Sequence, residues 1–242
     1  MNNYRKNAIV TGVLYIIGTV AGILSVVFIN PLHNSPDLLT AVSADGNQLI
    51  YGALLVMVMA LALALIPVVM FPVLRRHNEV LALGYVVFRG ALETFFYFAM
   101  VISSLSLLIL SNVAVTDSSA LQTVATDLLE TEILGSLLTI VFILGALMFY
   151  TVLYQSKLVP RWLSGWGLIA APLYLAAGFL VLFGINEPMS TTDSLLQMPL
   201  GIQEIVLALW LIVKGFNPTA VESGSARIAV SEGGVTSLQQ GT

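Results

Sequence analysis

The chain has 242 residues, 58% of them hydrophobic and only 9% charged, with a net charge of −4. Soluble domains carry about 25% charged residues, so this composition cannot clothe a water-soluble globule, and the surface must face lipid. The absence of cysteine excludes disulfides, thiol catalysis, iron–sulfur ligation and thiolate zinc sites. No basic stripe interleaved with aromatics supports a nucleic-acid partner.

The hydropathy pattern predicts an all-α bundle of six transmembrane helices. After the basic pair Arg5 and Lys6, residues 8–29 run without a charge, about the 20 residues a bilayer crossing needs. The run is longer than the core of a signal peptide and no A-x-A cleavage motif ends it. Thr11, Tyr15, Gly18, Gly22 and Ser25 share one face of this helix. Small residues there let another helix approach closely. Packing within the same bundle is the favoured use; an oligomer contact through Gly18 and Gly22 is the other.

The second helix covers 49–74, with Pro67 and Pro72 in its final third. A proline removes a backbone donor, so a kink or unwinding is expected there. A short charged turn, 75–79, leads to a third helix over 80–110, long enough to tilt or project. The polar stretch 111–131 holds room for a helical turn or two before the fourth helix, 133–154. The fifth covers 162–185 with Pro172 inside it, and the sixth 195–213. Gly215 and Pro218, with Lys214 in the last turn, form a stop signal. The Gly-, Ser- and Gln-rich tail, 219–242, lacks an apolar period and reads as a disordered cytoplasmic tail.

Charge sets the orientation. Arg5, Lys6, Arg75, Arg76, Lys157, Arg161, Lys214 and Arg227 all fall on one side of six alternating crossings, and the loops on the other side hold no lysine or arginine. The positive-inside rule puts the basic side, with both termini, in the cytoplasm of a plasma-membrane protein. Tyr150, Tyr154, Trp162, Trp166 and Trp210 lie towards the same interface in this reading, where amphipathic rings prefer to sit.

Three stretches in series resemble a known family: FPVLRRHNE at 71–79 running on to GYVVFR at 84–89; LVPRWLSGWGLI at 158–169; and QEIVLALWLIVKGFNP at 203–218. Their order and spacing are similar to those of a bacterial and archaeal multi-pass membrane family catalogued as domain of unknown function 4386, over about residues 5–218. The resemblance implies a membrane location and a helical architecture, and it brings no catalytic or ligand residue.

The ninth cation, Arg89, is the one the topology rule does not place in a basic loop. It lies ten residues into the third helix, roughly 15 Å deep, with Glu93 four residues on, on the same face. A charge near mid-bilayer costs about 2.5–3.5 kcal/mol on insertion scales, so this stripe, with Tyr85, Phe96 and Met100, must face the bundle interior or a wet cavity. Glu204 lies at a matching depth in the sixth helix, flanked by Gly201 and Ala208. One arginine facing two carboxylates is one positive charge short. A proton, a cation or a cationic solute meets the deficit. Arg89, Glu93, Glu204, Tyr85 and the more peripheral Glu132 are therefore the candidate ligand-binding residues. A structural clamp that fixes helix register is the competing reading.

No catalytic residues, metal ligands or cofactor emerge. His33 and His77 fall in loops or at an interface, no H-E-x-x-H or G-x-S-x-G is present, and no glycine-rich phosphate loop occurs. The expected function is small-solute binding or transport through a polar intramembrane site. The alternatives are a membrane-embedded enzyme using a buried glutamate as acid–base, and a structural or accessory subunit.

Overall fold

The computed structural model describes residues 3–33, 35, 37–113, 119–130, 132–188 and 190–224. Among them there are helices and no strands. They are α1 (Asn3–His33), α2 (Leu38–Ala44), α3 (Gly46–Leu74), α4 (Glu79–Tyr85), a π-helical segment (Val86–Leu92), α5 (Glu93–Val113), α6 (Ser119–Glu130), α7 (Glu132–Ser156), α8 (Arg161–Leu182) and α9 (Thr191–Val213). The α4–π–α5 stretch is one continuous helical rod. Six helices are long and apolar enough to cross a membrane. Their outward faces carry bare large apolar side chains such as Ile23, Val27, Phe95, Ile102 and Ile169, as lipid contact requires.

The spans form a closed ring in chain order. α1 packs on α3, α3 on the π segment and α5, these on α7, α7 on α8, α8 on α9, and α9 returns to α1. Gly18 and Gly22 serve the first of these seams. A Cβ on Gly18 would meet Leu63, and one on Gly22 would meet Met59, each 2.8 Å away. The seam between α1 and α9 is as tight. A Cβ on Gly12 would lie 2.6 Å from the Ala208 carbonyl.

Neither proline interrupts α3. Asn7 of α1 donates to the Val69 carbonyl at 3.2 Å, tying α1 to α3 one turn before Pro72. The ends of the ring are finished differently. At one end α2 and α6 pack over a small core of Leu32, Leu39, Val42, Leu49, Leu107 and Ala125. The other end gathers the basic turns. Arg5 donates to the carbonyls of Leu211, Ile212 and Val213, closing the C-terminus of α9. Arg76 lies over the Tyr4 ring, and Asn217 donates its backbone N–H to Leu158.

Residues 218–224 are helical, and Ala220 is buried against the main core. The start of the tail is thus folded, whereas 225–242 lie outside the described residues. Phe216, Ala220 and Val221 carry this segment onto the bundle, a pattern too short to register as a helical period.

Candidate functional site

The π segment positions the central cation. An α-helix closes its hydrogen bonds over four residues and a π turn over five, so residues 86–92 form a wider coil with Arg89 at its centre. Two glycines accommodate it. On the α3 side, a Cβ on Gly90 would touch Pro67 at 3.3 Å. On the α7 side, a Cβ on Gly145 would sit 3.2 Å from both the Arg89 backbone nitrogen and the Phe88 Cβ. The Thr94 hydroxyl donates to the Gly90 carbonyl at 2.7 Å, giving an acceptor in the distorted turn a partner. Gly145→Ala is therefore expected to push α7 off the π segment and cost about 1–3 kcal/mol, read as a lower unfolding temperature in detergent. An unchanged temperature would show that the close approach at Gly145 is slack.

From this coil Arg89 reaches inward. One terminal nitrogen donates to both Glu93 oxygens, at 3.0 and 3.1 Å, and the other donates to Glu204 at 3.3 Å. The guanidinium carbon lies 4.4 Å from the Phe142 ring centre, a cation–π contact worth about 2 kcal/mol when desolvated. One side chain thus links α7, α9 and the α4–α5 rod. Arg89 and Glu93 are 3% and 1% exposed, whereas Glu204 is 18% exposed. Among the described residues the buried Arg89 Nε has no hydrogen-bond partner.

A shell of tyrosines surrounds the triad. Tyr85 stacks on Phe149 with ring centres 4.6 Å apart. The hydroxyl of Tyr15 from α1 lies near that of Tyr85, and Tyr97 lies near Glu93. Tyr150 donates to the Gln203 side-chain oxygen at 2.6 Å, and the Gln203 amide donates to the Leu163 carbonyl at 3.0 Å. Gly167 makes room for that link, since a Cβ there would lie 2.7 Å from the Tyr150 ring.

Arg89, Glu93, Glu204 and Tyr85 therefore meet. Glu132 does not join them. It opens α7, 13 residues from the Gly145 contact and so about 20 Å away along the axis; its side chain lies outside the described residues. Gly201 faces open space while Ala208 is fully buried, so only one of the two small residues flanking Glu204 serves close approach. Tyr150 is also not an interfacial ring. It is fully buried, because Gln203 offers its hydroxyl a partner inside the bundle. Tyr97 continues the four-residue period of Tyr85, Arg89 and Glu93, a sign readable from spacing. Tyr15, Phe142 and Gln203 come from other helices, and no local pattern ties them to Arg89.

Among the described residues no group of three or more His, Asp and Glu side chains is arranged to hold a metal ion. Two open cavities lie at the basic end, of about 620 and 220 Å³; neither is lined by a triad residue.

A six-helix, membrane-type bundle closed around one buried arginine and two glutamates is the class that fold and site define. A family model described as "Domain of unknown function (DUF4386)" matches residues 10–215, and the chain belongs to that family. Comparison with curated proteins and with solved structures gives no match.

Proposed function

We propose that this is a plasma-membrane protein that binds, and in the fuller form of the reading transports, a small cationic solute at Glu204. The supporting observation is the uneven burial of the triad. Its two carboxylates face one guanidinium, and the only member open beyond a few per cent is Glu204. The unbalanced negative charge therefore has its outlet at Glu204, where a proton and a cationic group compete for it. The unpartnered Arg89 Nε adds a donor for an acceptor atom on the same solute. The positive-inside rule supports a cytoplasmic basic end. A reporter active only outside the cytoplasm, fused after Thr242, should then stay silent; activity would reverse the orientation.

The binding test is a thermal-shift series in detergent with alkali and alkylammonium cations. Some member should raise the unfolding temperature, and Glu204→Gln should abolish that rise. At a hundredfold excess over Kd, binding is worth about 2.7 kcal/mol, a readily measured shift. No response to any cation, or an undiminished response in Glu204→Gln, would sink the reading. The second reading, a structural clamp, is favoured by the contacts of Arg89 to two other helices at once. It predicts that Glu204→Gln lowers stability equally with and without cations.

A further inference from the structure

We propose that the cleft of about 620 Å³ at the basic end is a binding site for the phosphate of an anionic phospholipid from the adjoining leaflet. Its floor is the clasp between two turns, where Asn217 donates through its backbone to Leu158 and through its side chain to the Lys157 carbonyl. Lys157, Arg161 and Lys214 line the cleft together with Trp210 and Phe216, and no acidic residue does. Three other arginines at this end are engaged, and Arg161 itself lies over the Tyr154 ring. Arg5 caps three carbonyls, Arg76 donates to Pro72 and covers Tyr4, and Arg75 lies over Phe71. Neither Lys157 nor Lys214 has a side-chain hydrogen bond or ion pair among the described residues.

Two further features fit a headgroup. Pro160, at the N-cap of α8, supplies no side chain to the first-turn amides, and Pro160 and Arg161 line the cleft, so a positive helix end adjoins it. Trp210 meets Trp162 edge-on, ring centres 6.3 Å apart, and Trp162 is 57% exposed. Indoles at a helix end sit at headgroup depth, so acyl chains would descend beside them while the phosphate enters the cationic cleft. Lys157 itself stands at φ 60°, in the left-handed region where a helix ordinarily ends in glycine. The chain keeps a charged side chain at a position whose backbone favours none.

The site is at the end of the bundle and does not rest on the Glu204 reading. The test uses the full chain in neutral detergent, titrated with short-chain phosphatidylglycerol, phosphatidylcholine or inorganic phosphate. Tryptophan emission and unfolding temperature are the readouts. Phosphatidylglycerol should change both; the other two should not. Lys157→Gly relieves the backbone, so the variant should fold at least as well as the parent while binding about fivefold more weakly, the effect of one basic side chain at an anionic surface. Adding Lys214→Gln should weaken binding by about a further fivefold. Lys6→Gln, at the same end but outside the cleft, should leave the affinity unchanged. An equal response to phosphatidylcholine or to inorganic phosphate, an equal loss in Lys6→Gln, or full affinity in the double variant would overturn the proposal.

Discussion

Arg89→Leu is expected to be the most damaging single substitution, lowering stability by about 3–5 kcal/mol. The cause is what it leaves behind. Glu93 is 1% exposed and takes both its Arg89 hydrogen bonds from one nitrogen; without them a carboxylate stands in the bundle with no cation near it. Glu204 loses its Arg89 bond as well, and Phe142 loses the guanidinium over its face. Fraction folded in detergent titrated with a denaturing surfactant measures the loss. Arg89→Leu combined with Glu93→Leu and Glu204→Gln should recover most of it, because an apolar replacement of a whole buried ionic group is often near neutral. A single variant as stable as the parent would mean that water reaches Glu93.

The second large effect is expected at Gly12. A methyl group there would lie 2.6 Å from the Ala208 carbonyl and as close to the Ile212 side chain. The isoleucine can rotate, but the carbonyl belongs to the backbone of α9 and cannot. Gly12→Ala should therefore open the α1–α9 seam and cost about 1–3 kcal/mol. The damage should concentrate at that seam. Tyr15 lies one turn from Gly12 and is almost fully buried, so its near-ultraviolet dichroism should weaken while helix content stays constant. Unchanged stability would show that the ring closes elsewhere than at this contact.

The spans were readable from sequence because lipid imposes one requirement on all of them, a length of apolar residues matched to the bilayer. Observed helices overrun the predicted ones at several ends, as in α1, which continues past Pro31 to His33. Hydropathy fades at the headgroups while backbone hydrogen bonding does not. The triad was readable for a related reason. Arg89 lies ten residues from the start of α4 and Glu204 nine from the end of α9, so the two come level across the bundle in antiparallel spans.

The π segment was not readable. The residues that pack closely on it, Pro67 and Gly145, lie on two other helices, and a hydropathy profile does not bring them together. The burial of Tyr150 escaped for the same reason, since a tyrosine near a helix end favours the interface until a partner such as Gln203 appears from another span.

The cap that Arg5 places on α9 carries a consequence for biogenesis. Translation delivers α1 first and α9 last, yet each completes the other. Until the sixth span enters the bilayer, the Arg5 guanidinium lacks its three carbonyls and Gly12 faces a vacant seam. Closure of the ring between α1 and α9 therefore waits for α9. A chain stopped before α9 would leave bare the faces of α1 and α8 that α9 covers.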